Sequence, residues 1–371
     1  MTKDTLQTPA IILDLDKFEN NLRTYQEAAG KHGKQIWPMI KTHKSTEMAK
    51  IQKQFGVTGF LCGTLDECEK LCDAGLDHIM YAYPVASEPS ISRVIALSKK
   101  CDFFIRIDDP DGARLLNDAA AQVGAAVNYT VIVDSGLHRF GVEVPQIAAF
   151  ADKMKELKHL VFRGISTHPG HVYGCTSANE VPAVAAEERD TMKAAAGALR
   201  AAGYKPDMVT SGSTPTFFDA VDDENISIYH PGNYVFLDVI QMSIDRAKEE
   251  DCALTVLASV ISHPKEDLYI MDAGAKCLGL DQGAHANNSI KGFGYVKGHP
   301  ELTVYSLSEE VGKLHVEGKT NLKVGDKIEV IPNHSCSTAN LTDYFIGCRG
   351  AQVERIIPVD IRGNSTTKKA K

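Results

Sequence analysis

The sequence predicts an α/β protein in two parts: a (β/α)8 TIM-type barrel over residues 1–250, followed by a C-terminal all-β domain over residues 251–371. Two observations carry this reading. From about residue 15 to residue 250, short apolar runs alternate with amphipathic stretches of helical period, the βα rhythm of a parallel sheet. Beyond Asp251 the texture turns to alternating β-rich segments broken by Gly and Pro, such as Leu254 to Ile261, Leu268 to Met271 and Lys327 to Ile331. The apolar runs are Ile36 to Ile40, Thr58 to Cys62, His78 to Tyr81, Phe103 to Ile107, Tyr129 to Val133, Phe162 to Thr167, Met208 to Thr210 and Tyr234 to Leu237. Eight strands are what such a barrel needs. Helical periodicity is clearest at Leu15 to Lys31 and in the Ala-rich Val181 to Ala202, and the first strand of the chain is free to join the β-domain.

At 371 residues, with 43% hydrophobic and 24% charged residues, the composition is that of an ordinary globular protein able to bury a large core. A formal net charge of −8 offers no basic face for nucleic acid or an anionic membrane. The opening Met1 to Leu6 lacks an apolar signal core, and no window approaches the roughly 18 apolar residues of a membrane span, so a cytosolic protein is expected. Nine cysteines at irregular spacing read as reduced thiols, and Cys68 and Cys72 as a buried pair without a chemical role. There is no internal repeat or low-complexity tract, and the polar tail Gly363 to Lys371 is expected to fray.

Barrel enzymes carry their chemistry where strands end, so polar residues just after each apolar run are informative. They include Lys41-Thr-His43-Lys44, Asp134-Ser-Gly-Leu-His-Arg139, Thr167-His168-Pro-Gly-His-Val-Tyr173, Ser211-Gly212-Ser213-Thr214 and His230-Pro-Gly232-Asn233-Tyr234. A lysine after a strand is usually a solvated loop residue. At a partly closed barrel mouth, with His43 and Lys44 beside it, Lys41 also suits a Schiff-base nucleophile, which must be available as the neutral amine. Residues 211–214 fit a plain loop and a phosphate cradle of backbone N–H groups equally well.

Eight ordered segments now matter together: Thr8-Pro-Ala-Ile-Ile-Leu-Asp14-Leu-Asp16, Lys41-Thr-His-Lys44, Asp134-Ser-Gly, Gly212-Ser-Thr-Pro-Thr216, His230-Pro-Gly-Asn-Tyr234, Asp272-Ala-Gly-Ala-Lys276, Ser308-Glu-Glu310 and Pro332-Asn-His-Ser-Cys336. The chain resembles, over nearly its whole length, the family of D-threonine aldolases and eukaryotic-type D-serine dehydratases. These are pyridoxal 5'-phosphate (PLP) enzymes with an alanine-racemase-like barrel and a β-domain, assembled as homodimers. The resemblance implies that Lys41 carries PLP as a Schiff base, that His168 lies against the pyridine ring and that Arg139 lies near the phenolic oxygen. It also implies that Ser211, Gly212, Ser213, Thr214, Gly232 and Asn233 surround the phosphate, and that Tyr173 borders the substrate. His230 departs from the alanine racemases, which carry arginine there against the ring nitrogen; the change would give a stronger electron sink. Val311, where relatives often have histidine, leaves the role of 308–310 open.

His334-Ser335-Cys336 follows the expected strand Lys327 to Ile331, and a period of two puts both side chains on one side of an extended segment. A lone His-x-Cys is a weak signal. The resemblance makes it a metal site, and an imidazole with a thiolate suits Zn2+, with Mn2+ as the other candidate. The implied activity is that of a lyase on β-hydroxy D-amino acids, foremost a D-serine dehydratase giving keto acid and ammonia. The same parts would serve a D-threonine aldolase, giving glycine and acetaldehyde, or a 3-hydroxy-D-aspartate aldolase or dehydratase. A racemase needs a second base opposite the lysine, which the sequence does not reveal. A non-catalytic PLP-homeostasis protein lacks the β-domain and the His-x-Cys pair.

Overall fold

The structure is a computed structural model that describes residues 1–284 and 290–363. Strand β1 (Ala10–Asp14) leads into helix α1 (Leu15–Lys31), which begins where the Asp14 carboxylate accepts the Lys17 N–H at 3.1 Å. Eight parallel strands follow: β2 (Gln35–Ile36), β3 (Phe60–Cys62), β4 (Ile79–Tyr81), β5 (Phe103–Ile107), β6 (Val127–Ile132), β7 (Leu160–Ser166), β8 (Met208–Ser211) and β9 (Ile228–Tyr229). They run in the spatial order β2-β9-β8-β7-β6-β5-β4-β3, and a parallel bridge between Met39 and Leu61 brings the two edges together as a barrel. Helices α2 (Thr46–Gln54), α3 (Leu65–Asp73), α4 (Glu88–Lys100), α5 (Pro110–Gln122), α6 (Ile147–Met154) and α7 (Val181–Ala201) cover it, followed by the short α8 (Phe217–Ala220) and α9 (Val239–Ser243).

Alternation along the strands divides the core. On β5, Phe103, Ile105 and Ile107 face the helices, while Phe104 packs inside the barrel with Trp37, Leu61, Met80 and Met208.

The second half is a nine-stranded, mostly antiparallel sheet that contains β1 as well as β10 (Leu254–Lys265), β11 (Leu268–Met271), β12 (Tyr295–Val296), β13 (Leu302–Leu307), β14 (Gly312–Val316), β15 (Lys327–Ile331), β16 (Tyr344–Arg349) and β17 (Gln352–Pro358). Strand β1 lies antiparallel to β10, with Ala10 opposite Leu257, and parallel to β16, with Ile12 opposite Ile346. Two short helices, α10 (Ala275–Leu278) and α11 (Ser335–Ala339), interrupt this half. No helix among the described residues is long and apolar enough to cross a membrane. All nine cysteines are free; Cys68 is buried and Cys72 half-buried. Residues 364–371 of the polar tail lie outside the described residues.

Two sequence expectations need correction. The eighth strand is Ile228–Tyr229, and Tyr234 to Leu237 is not a strand, since Asn233–Val235 forms a 3-10 turn after Pro231 and Gly232. Its apolar side chains are buried in that turn, with Tyr234 against Tyr25 at 4.9 Å and Phe236 against Phe345 at 5.5 Å. A short, wholly buried apolar run has the same pattern in either conformation. Similarly, Ile36 to Ile40 is strand only at Gln35–Ile36; Pro38 ends it, and Ile40–Thr42 is a 3-10 turn.

At Gly164 on β7, φ is +148°, and an added Cβ would stand 1.8 Å from the Met208 carbonyl oxygen of β8. Gly164→Ala should therefore force β7 and β8 apart and cost about 3 kcal/mol of stability in denaturant unfolding. Near-wild-type stability would show that the barrel absorbs the methyl group.

Candidate active site

A cavity of about 470 Å3 opens where the barrel strands end, between them and helix α11. This is the size and place of a small-molecule site in such a fold. Lys41, Arg139, His168, Tyr173, Gly212, Ser213, Thr214, Gly232, Asn233, His334 and Cys336 all line it, so the structure brings together every site residue read from the sequence except Ser211.

Lys41 sits on the 3-10 turn after β2 and makes no ion pair or hydrogen bond among the described residues. Gly63 keeps its path clear, since a Cβ there would lie 3.2 Å from the Lys41 Cβ. The expected influence of His43 and Lys44 takes a different form. His43 is buried away from the cavity, accepting the Ser45 N–H at Nδ1 and donating from Nε2 to Gln52, and burial pulls it down to about 4. Lys44, at φ +48°, is neutralised by the buried Glu67 at 2.7 Å. Lys41 thus has no bare cation from this turn beside it.

In the same cavity, the backbone N–H groups of Gly212, Ser213, Thr214, Gly232 and Asn233 have no hydrogen-bond partner among the described residues. Five unpaired donors with the Ser213 and Thr214 hydroxyls make a place for an anion. Gly232 permits the close approach to the Lys41 turn, because a Cβ there would lie 2.9 Å from Thr42 Oγ1. Ser211 does not share this cradle. On β8, Met208 and Thr210 point into the barrel while Val209 and Ser211 point toward the helices, and the Ser211 hydroxyl donates to Glu188 of α7 at 2.5 Å.

His168 donates from Nδ1 to the Gly212 carbonyl at 3.3 Å and packs over Gly170, where a Cβ would stand 2.9 Å from its Nε2. Tyr173 packs with Ile240, Ala284 and Ile290, reaching the second half of the chain. The Arg139 guanidinium is exposed and lies 5.8 Å from the Tyr83 ring and 5.4 Å from the Phe140 ring. His230 lines the cavity, donating from Nδ1 to the Trp37 carbonyl at 2.7 Å and leaving Nε2 buried without a partner. Burial, with Arg106 nearby, holds it well below its usual value, so it is a neutral imidazole with a free acceptor.

The expected geometry of the His-x-Cys pair is overturned, though the pair stays together. His334 caps helix α11 and Cys336 lies in its first turn, so a helical start, not an extended segment, sets their side chains. Against the upward push of burial, His334 holds the Cys336 thiol below its ordinary value, and Cys336 and Asp281 together hold His334 well above its own despite burial. Cys336 Sγ also donates to Thr42 Oγ1 at 3.4 Å, next to Lys41. Asp281 stands 3.6 Å from His334 Nδ1, in position to orient the ring. No cluster of three or more His, Cys, Asp or Glu side chains arranged for a metal occurs among the described residues.

Several cavity residues escaped the sequence reading. Arg106 on β5 is buried with no carboxylate partner among the described residues, contacts Met80 Sδ at 3.3 Å, and burial pulls it down to about 9. Asp238 is buried, accepting Asn233 Nδ2 at 2.6 Å and the Ser335 N–H at 2.9 Å. Gln241 lines the cavity with its buried side-chain amide unpaired. Strand parity on Phe103-Phe-Ile-Arg-Ile107 was the available signal for Arg106; nothing local marked Asp238 or Gln241.

PLP, the cofactor the resemblance implies, fits this cavity on two counts: the unpaired N–H cradle matches a phosphate, and a free lysine shares the cavity with it. Lys41→Ala is accordingly expected to abolish the borohydride-reducible chromophore formed with PLP. An adduct retained at another lysine would remove Lys41 from this role.

Residues 13–239 match the family described as alanine racemase, N-terminal domain, and residues 253–348 match the putative serine dehydratase domain. A 3-hydroxy-D-aspartate aldolase of Paracoccus denitrificans is 30% identical, over 98% of this chain and 94% of its own. Among solved structures, a D-threonine aldolase from Filomicrobium marinum superposes with a TM-score of 0.89 at 28% identity, covering 98% of this chain and 97% of its own. The D-threo-3-hydroxyaspartate dehydratase of Delftia sp. also reaches 0.89 at 28% identity, over 98% of this chain and 100% of its own. A cysteine-to-alanine variant of a D-threo-3-hydroxyaspartate dehydratase was solved in a metal-free form.

Proposed function

The chain belongs to the family in which an alanine-racemase N-terminal barrel is joined to a serine dehydratase domain, and on that premise we propose that it is a PLP- and metal-dependent lyase of β-hydroxy D-amino acids, acting as a D-serine dehydratase. The observation that carries the reading is the meeting in one cavity of a free lysine and an anion cradle from the barrel with His334 and Cys336 from the second half. The cofactor supplies an electron-accepting ring that stabilises a carbanion at the substrate α-carbon, and the metal, foremost Zn2+, supplies a Lewis acid for the β-oxygen.

The chain's own residues do the rest. Gly212, Ser213, Thr214, Gly232 and Asn233 hold the phosphate. His168 and Arg139 bound the space for the ring. The Lys41 amine, free of ion pairs, takes the substrate α-proton. His334 and the acidified Cys336 thiol would hold the metal, with Asp281 orienting the imidazole. Tyr173 and Ile240 shield the cavity from water on that side.

Retro-aldol cleavage is the second reading, favoured by the likeness to the Paracoccus 3-hydroxy-D-aspartate aldolase. Incubation with D-serine and with D-threonine separates the two. The dehydratase yields keto acid and ammonia; glycine and acetaldehyde without keto acid would replace it with the aldolase, and turnover of L-isomers alone would overturn both.

Because the pair and the cradle sit on different elements, chelation should abolish turnover while leaving the spectrum of bound PLP largely intact, and added Zn2+ or Mn2+ should restore activity. Full activity in protein shown to be metal-free would remove the metal from the reaction.

A further inference from the structure

Glu188 lies in the middle of α7 and is fully buried, with no lysine, arginine or histidine within ion-pair distance among the described residues. Its Oε1 accepts the Ser211 hydroxyl at 2.5 Å, and its Oε2 makes no hydrogen bond. The surrounding groups are few. Ser211 comes from β8 and Thr216 from the turn before α8; Asp223 follows α8, Tyr229 comes from β9, and Arg189 is on α7 itself. Arg189 is turned to Asp222 at 3.3 Å, and the Thr216 hydroxyl is engaged with Ser213 Oγ at 3.0 Å. Nothing there balances a charge. A carboxylate in that setting is strongly disfavoured relative to the neutral acid. Burial indeed pushes the group up to about 7, against the pull of the Ser211 hydroxyl.

The position of this carboxyl matters because it stands directly behind the anion cradle. Ser211 is the residue before Gly212, and Thr216 reaches Ser213, whose side chain lines the cavity. We propose that Glu188 is the positioning residue of the cradle: by accepting the Ser211 hydroxyl from behind, its neutral carboxyl fixes the 211–214 turn with its N–H groups toward the cavity. Ionisation there places a negative charge behind a site built for an anion. Linkage is reciprocal, so a bound phosphate favours the protonated acid, and loss of that proton weakens the phosphate by the same factor. Affinity for a phosphorylated ligand therefore falls as the pH rises through about 7. The inference rests on the reading of the cavity as a PLP site.

The test measures PLP dissociation constants for the whole chain from about pH 6 to about pH 9 in the wild type, Glu188→Gln and Glu188→Ala, with unphosphorylated pyridoxal as the control ligand. Titration of the phosphate and of the bond to Lys41 is common to wild type and Gln variant, so their difference isolates Glu188. Glutamine still accepts the Ser211 hydroxyl and should keep wild-type affinity at low pH. The wild type should lose on the order of tenfold more affinity than Glu188→Gln across the range, equivalent to about one pKa unit of coupling. Glu188→Ala should be weaker than Glu188→Gln at every pH, and with pyridoxal the wild type and Glu188→Gln should coincide. Superimposable PLP profiles for wild type and Glu188→Gln would overturn the assignment, as would the same difference with pyridoxal. Failure of the wild type to bind PLP at any pH overturns the cofactor reading instead, and inorganic phosphate in the same comparison then decides the role of Glu188.

Discussion

The buried carboxylate of Asp238 holds the two halves of the site in register. It makes no ion pair among the described residues, although His334 acts on it electrostatically against the upward push of burial, and its oxygens accept four hydrogen bonds: Asn233 Nδ2, the Ser335 N–H and the Ser335 hydroxyl on Oδ2, and the Gln241 N–H on Oδ1. Asn233 belongs to the anion cradle at the barrel mouth, and Ser335 lies between His334 and Cys336 at the start of α11. One acceptor thus ties the anion cradle to the His334 and Cys336 pair. Hydrogen bonds to a charged group contribute about 1.5–3 kcal/mol each, and stranding a buried charge costs more than any one of them returns. The geometry of the site is a by-product of satisfying this single group.

The electrostatics of the cavity follow from which charges are answered within the chain. Lys44 is matched by Glu67, and His334 leans on Asp281. Among the described residues Lys41, Arg106 and Arg139 have no carboxylate partners, and five unpaired backbone N–H groups belong to residues lining the same space. The chain is acidic overall yet lines this cavity with unanswered positive charge. Such a surface is costly unless an anionic guest completes it, which suits a phosphorylated aromatic cofactor and an amino-acid carboxylate.

Much of this was legible in the sequence because it depends on local rules. Helix α1 starts at a capping aspartate and keeps a 3.6-residue period, and the barrel strands show as apolar runs spaced by helices. The residues after the strands converge because parallel strands end on one face. What failed depends on parity and tertiary burial. Ser211 follows three apolar or β-branched residues, so only counting inward and outward positions reveals that its hydroxyl meets α7. Tyr234 to Leu237 imitated a strand because burial on all sides erases periodicity. Arg106 hid within an apolar run, and Asp238 gained its importance from partners roughly 100 residues away. The His334-Ser-Cys336 spacing brought the two side chains together by a different geometry, since both a strand and a helical first turn can aim residues two apart into one cleft.

The membership of β1 in the second sheet sets a timetable for synthesis. Residues 10–14 leave the ribosome well before their hydrogen-bonding neighbours, Leu254 to Leu257 on one side and Ile346 to Cys348 on the other. The barrel that follows β1 can assemble from near neighbours as it emerges, but β1 stays an open edge until residues 346–348 have been translated. Such an edge invites other strands, and Asp14 and Asp16 beside it supply the charge that discourages them. The nascent protein therefore carries β1 as a loose end that only the arrival of β10 and β16 can stitch down.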